Sequence, residues 1–97
     1  MPRIMRIRRS VKSSGRYFSL ESVCEILDLP PRTLRLYEQR GLIRTEWVEE
    51  TGGQHRALFS PDEVRRLQRI RLLTKELGVN LAGVEIILRL LEQLERR

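Results

Sequence analysis

Pro31-Arg32-Thr33-Leu34-Arg35-Leu36-Tyr37-Glu38-Gln39-Arg40-Gly41-Leu42-Ile43 is the stretch that decides the fold. Proline suits a first helical turn, where its missing N–H leaves nothing unsatisfied. Gly41 takes, at low cost, the left-handed conformation that ends a helix. Between them Leu34 and Tyr37 lie three apart and share a buried side, while Arg32, Arg35 and Arg40 fall elsewhere on the circumference. A short helix offering arginines, a threonine and a tyrosine hydroxyl has the size and chemistry to enter a DNA major groove.

Upstream, Ser19 can cap a helix whose apolar residues Leu20, Val23, Ile26 and Leu27 recur at helical spacing. Asp28-Leu29-Pro30 breaks it, and the second helix begins at once. Two short helices joined by a tight turn form a helix-turn-helix, whose second helix reads the groove. Any helical hairpin shares this spacing, so the assignment rests on the chemistry of the outer face.

Downstream, Ile43-Arg44-Thr45-Glu46-Trp47-Val48 is β-prone, Glu49-Glu50-Thr51-Gly52-Gly53 is a turn, and Arg56-Ala57-Leu58-Phe59 returns as a second strand. This hairpin is a wing. His55 and Arg56 at its tip suit the phosphate backbone, with Gly52 and Gly53 allowing close approach, whereas Glu49 and Glu50 repel phosphates. Trp47 reads as a core anchor beneath the hairpin. Ser60-Pro61-Asp62-Glu63 combines an N-cap, an N1 proline and the acid of a capping box. The third helix it opens carries Val64, Leu67, Ile70, Leu73 and Leu77 inward and ends at Gly78. Asn80 caps a fourth helix over residues 81–95. There Val84, Ile87, Leu91 and Leu94 form a stripe that Ile86, Leu88 and Leu90 widen beyond what so small a domain buries. The spacing predicts a dimerisation or partner surface on Val84, Ile87, Leu88, Leu91 and Leu94.

Ninety-seven residues allow one domain. The net charge of +6 is concentrated in residues 1–16, where Arg3, Arg6, Arg8, Arg9, Lys12 and Arg16 meet no acid. Residues 17–97 are balanced, with arginine gathered over positions 32–44 and 55–75, enough for a local positive footprint. We read 1–16 as a basic, disordered arm, 17–79 as a winged DNA-binding domain and 80–97 as the C-terminal helix. The arm either neutralises phosphates or only solubilises the chain. No apolar run approaches the ~20 residues that span a bilayer. A single cysteine, Cys24, beside the first apolar stripe fits core packing in a reducing cytosol. Paired catalytic carboxylates, a nucleophile with its base, a phosphate loop and a metal-ligand cluster are all missing, and His55 has no partner ligand. Neither an enzyme nor a cofactor or metal site is expected.

Tyr17, the run from Thr33 to Ile43, Gly53 with Arg56, Ser60 to Val64 and Gly78-Val79-Asn80-Leu81-Ala82-Gly83-Val84 together resemble the DNA-binding domain of the MerR family of transcriptional regulators, over about residues 17–91. The last segment is most similar to the heat-shock repressor (HspR-like) branch and its CbpM-like chaperone-modulator relatives. The resemblance implies a mainly α, MerR-type winged helix-turn-helix with a two-stranded wing and two further C-terminal helices. It implies that Arg32, Thr33, Arg35 and Tyr37 face DNA from the second helix, with Arg44 and Arg56 on the wing. It also implies a cytoplasmic homodimer on an inverted-repeat operator in double-stranded DNA, acting as a stress-response repressor without a small-molecule effector domain. The CbpM-like alternative uses the same fold to bind a J-domain co-chaperone. Three departures stand out. Asp28-Leu29 replaces the usual glycine-valine, Pro30 sits where a serine or threonine cap is common, and Phe59 replaces a tyrosine one residue further from the wing arginine.

Overall fold

The computed structural model describes residues 7–8 and 16–96. Its elements are β1 (Ile7–Arg8), β2 (Phe18–Ser19), α1 (Leu20–Leu27), α2 (Pro31–Gln39), β3 (Glu46–Glu49), β4 (His55–Phe59), α3 (Pro61–Arg71) and α4 (Leu81–Glu95), with a π-helical turn at Leu72–Glu76 after α3. This is the expected mainly α, winged helix-turn-helix. No helix among the described residues is long and apolar enough to cross a membrane.

Local chemistry sets the two reading-unit helices. Ser19 Oγ accepts from the Ser22 N–H at 3.1 Å and caps α1. At the other end Asp28 is left-handed (φ 55°), and the Leu29 N–H donates to the Cys24 carbonyl at 3.0 Å. α2 starts on Pro31 with no side-chain cap, because Pro30 occupies the cap position. It ends as Gly41 predicts. The Gly41 N–H donates to the Glu38 carbonyl (3.0 Å) and the Leu42 N–H to that of Tyr37 (2.9 Å), the paired bonds that close a helix onto a left-handed glycine.

Strand order is β1-β3-β4-β2. β3 and β4 form the wing, with Trp47 opposite Ala57 and Glu49 opposite His55. β2 adds antiparallel to β4, setting Phe18 opposite Phe59. Two residues are too short for a period-two signal, so this strand escapes a sequence reading. β1 pairs parallel with the outer edge of β3, Ile7 beside Trp47 and Arg8 beside Val48. Residues 7–8 therefore depart from the disordered arm expected over 1–16. Trp47 shares the face of Ala57 and Phe59 but is only half-buried, and so is not the core anchor expected beneath the hairpin.

The core joins Val23 and Leu27 of α1, Leu34 and Tyr37 of α2, Leu42, Ile43 and Phe59, Val64, Leu67 and Ile70 of α3, and Val84 and Leu88 of α4. Each large side chain fully removed from water contributes about 1.5–3 kcal/mol. Ile26 and Leu77, expected inward, are instead exposed. Leu77 closes the π-helical turn, and its N–H bond to the Leu72 carbonyl (3.1 Å) spans five residues and not four. The wider turn rotates Leu77 away from the core.

Candidate nucleic-acid interface

α2 has one face in the core and the other in water. Successive residues turn by about 100°, so Arg35, Gln39, Arg32 and Leu36 fall within an arc of roughly 100° opposite Leu34 and Tyr37. All four are exposed. No carboxylate among the described residues pairs with Arg32 or Arg35. Thr33 is half-buried at the edge of this face. Tyr37 is not on it. At 6% exposure it belongs to the core, which corrects the DNA-facing role the family resemblance implied. The spacing from Leu34 had pointed inward. Leu36 and Gln39 were missed, although both follow from the same helical arithmetic once Tyr37 is buried.

Arg40, next along the helix, is committed elsewhere. Its Nε and Nη2 donate to Glu85 Oε2 of α4 at 3.0 and 2.8 Å. The broader footprint expected over positions 55–75 also resolves into internal ties. Arg65 pairs with Asp62, and Arg66 donates to the Leu42 carbonyl and to Glu92. Arg69 Nη2 meets Glu95 Oε2 at 2.6 Å, and Arg71 Nε donates to the Leu27 carbonyl at 2.7 Å. Hydrogen bonding to Arg69, and secondarily its charge, holds the Glu95 carboxyl below its ordinary range. Arg40, Arg66, Arg69 and Arg71 brace α1, α3, α4 and the link after α2, whereas the Arg65–Asp62 pair lies within α3.

The wing is mixed. Arg44 is exposed, and its backbone N–H donates to Glu63 Oε1 at 2.9 Å. Glu63 thus ties down the segment before the wing, so the expected capping box is half formed: Ser60 Oγ accepts from the Glu63 N–H at 3.2 Å, with no return bond. Arg56 Nη1 lies 3.2 Å from Glu50 Oε2, which partly neutralises the tip. His55 is exposed opposite Glu49. Of the arm, Arg16 is exposed and Arg8 lies in β1, while Arg3, Arg6, Arg9 and Lys12 lie outside the described residues. Cys24 is half-buried against the core, where burial and then Glu21 push its thiol pKa up, away from reactivity.

The predicted partner set on α4 needs revision. Val84 and Leu88 are 0% and 1% exposed, so the domain's own core has taken them. Ile87 and Leu91 are half-buried, and Leu94 is exposed. The free apolar row is Ile86, Leu90 and Leu94, four residues apart, each more than half exposed.

Two comparisons bear on this geometry. The profile described as MerR HTH family regulatory protein matches residues 18–91. A Streptomyces coelicolor protein carrying the name putative heat shock protein HspR is 29% identical over 76 residues, which cover 78% of this chain and 48% of that protein. The chain therefore spans about half the length of this relative, and the likeness supports the HspR-like branch.

Proposed function

This chain belongs to the MerR HTH family of regulatory proteins, and from that premise we propose that it is a sequence-specific, DNA-binding transcriptional regulator of the HspR kind, acting as a cytoplasmic repressor. One observation carries the reading: Arg32 and Arg35 stand without a carboxylate partner among the described residues, on the outer face of the second helix, while the arginines behind them are tied into the fold. Guanidinium forks are suited to guanine edges and to phosphates. Arg44 extends the same positive side toward the wing, where Arg56 and His55 approach the backbone. The apolar row on α4 supplies the contact of a homodimer on an inverted repeat.

The test is binding of the full chain to duplex DNA from upstream of its own gene, titrated against salt. Affinity falls steeply as salt rises. Arg35→Ala weakens the complex by about 1–3 kcal/mol if it makes a bidentate contact to a base.

The wing favours a second reading. Glu50 neutralises Arg56, and Glu49 stands exposed beside His55, which is poor chemistry against phosphate. In this CbpM-like alternative the same fold binds a J-domain co-chaperone. Negligible DNA binding at low salt, beside a tight complex with a J-domain protein, decides for it.

A further inference from the structure

The outer face of α2 contains a side chain that DNA-backbone attraction does not explain. Leu36 is 42% exposed, with Arg32 and Gln39 along the neighbouring ridge and Arg35 on the far flank. Packing does not require it there, because α2 already fills its share of the core with Leu34 and Tyr37. Leucine neither donates nor accepts hydrogen bonds, so against the polar base edges of a groove it would strand whatever it covered. One apolar group does project into the major groove: the C5-methyl of thymine.

We propose that Leu36 is a specificity-determining residue that packs on a thymine methyl, while Arg32, Arg35 and Gln39 take the neighbouring polar base edges. The inference rests on the DNA-binding reading above and adds to it a sequence preference. The site on the duplex is a thymine flanked by bases that present acceptors to the arginines, guanine above all, and an adenine edge within reach of Gln39. A protein surface seated on α2 would have to bury the cations of Arg32 and Arg35 as well as Leu36, an occupant that needs acidic partners for both.

The experiment begins with selection of duplexes from a randomised pool by the full-length chain. The preferred duplex is then resynthesised with each thymine replaced singly by deoxyuridine, which removes only the methyl. At one position per half-site the replacement weakens binding about fourfold, the worth of one methyl-sized apolar contact. Leu36→Ala loses a similar factor on the thymine duplex and no longer distinguishes deoxyuridine at that position. Arg35→Ala binds more weakly but keeps the discrimination. If no deoxyuridine position matters, or Leu36→Ala still discriminates, the Leu36 inference is overturned while the regulator reading stands on the selected duplex. Failure of the chain to enrich any sequence overturns both. Because Leu36 lies outside the core, thermal unfolding of Leu36→Ala should match that of the parent chain, which separates lost contact from lost fold.

Discussion

At the scale of single residues, Asp28 shows how a departure from a familiar pattern acquires a meaning. It is the one non-glycine residue with positive φ among the described residues, at 55°, in the position where the MerR pattern has glycine. The left-handed region costs an ordinary L-residue roughly 1–2 kcal/mol, and aspartate tolerates it better than most. Asp28→Gly is therefore expected to leave stability unchanged or raise it. Asp28→Val, with a branched Cβ in the same conformation, is expected to lower stability by about 1–2 kcal/mol, roughly 4–8 °C of melting temperature per kcal/mol in a domain of this size. Thermal unfolding of the two variants checks this, and equal melting points would remove backbone strain from the account. The substitution was visible in the sequence, but the torsion behind it was not. Tyr37 teaches the converse. Its spacing from Leu34 correctly placed it inside, whereas counting its hydroxyl among the groove-facing groups, and the role implied by likeness, placed it outside.

Among elements, the start and stop signals were the most legible. Ser19, Pro31, Gly41, Ser60 and Asn80 each mark a boundary that the structure keeps to within a residue or two, while Gly78 marks the end of the π-helical turn that continues α3. The phase inside an element was harder to read. Leu67, Ile70, Leu73 and Leu77 fit an unbroken α-helix, and nothing in their spacing announces the π-helical turn that turns Leu77 outward. On α4 a broad apolar surface hid which side the core would claim. The core claimed Val84 and Leu88, and the carboxylates of Glu85, Glu92 and Glu95 face the arginines of α2 and α3. Leu88→Ala should cost about 2–5 kcal/mol, as large-to-small changes in a packed core do. If the homodimer proposed above forms through this row, Leu90→Glu should keep the helical fold but convert the dimer to a monomer, with a lower melting point as the stabilisation by association is lost. Light scattering behind size exclusion measures the second effect: a dimeric mass that Leu90→Glu leaves unchanged would move the contact off this row, and a monomeric parent chain would remove the dimer from the proposal. The Arg69–Glu95 tie adds a direction with pH. A carboxyl held below its unfolded value stabilises the fold above the ordinary glutamate range and loses that contribution as pH falls through its depressed value. Amide protection at the end of α4, taken relative to the intrinsic exchange rate at each pH, should therefore hold at neutral pH and fall only in acid.

For the whole molecule, charge is the organising quantity, and composition alone misplaces it. The +6 resides in residues 1–16, while Arg40, Arg66, Arg69 and Arg71 of the remainder are consumed in holding helices together. This internal use was illegible, because an arginine bracing a carbonyl and one awaiting phosphate have the same spacing. β1 links the arm to the domain by covering the open edge of β3, beside a wing that carries Glu46, Glu49 and Glu50. Pairing on that edge sets Arg8 beside Val48, in the strand that carries Glu46 and Glu49. The arm is then expected to supply phosphate contacts that the wing lacks. A chain lacking residues 1–9 loses Arg3, Arg6, Arg8 and Arg9. Each phosphate contact contributes about 0.9 to the slope of log affinity on log salt, so removing four contacts would lower that slope by roughly 3.6. The preference between selected and random duplexes should survive, since Arg32 and Arg35 are untouched. Ile7→Gly keeps all four charges but weakens the strand, since glycine is a poor strand former and leaves no side chain to pack. If pairing with Trp47 and Val48 is what places the arm, this variant loses as much of the slope as the deletion does. Should it keep the full slope, the arginines act from an untethered chain and the sheet edge has no part in binding.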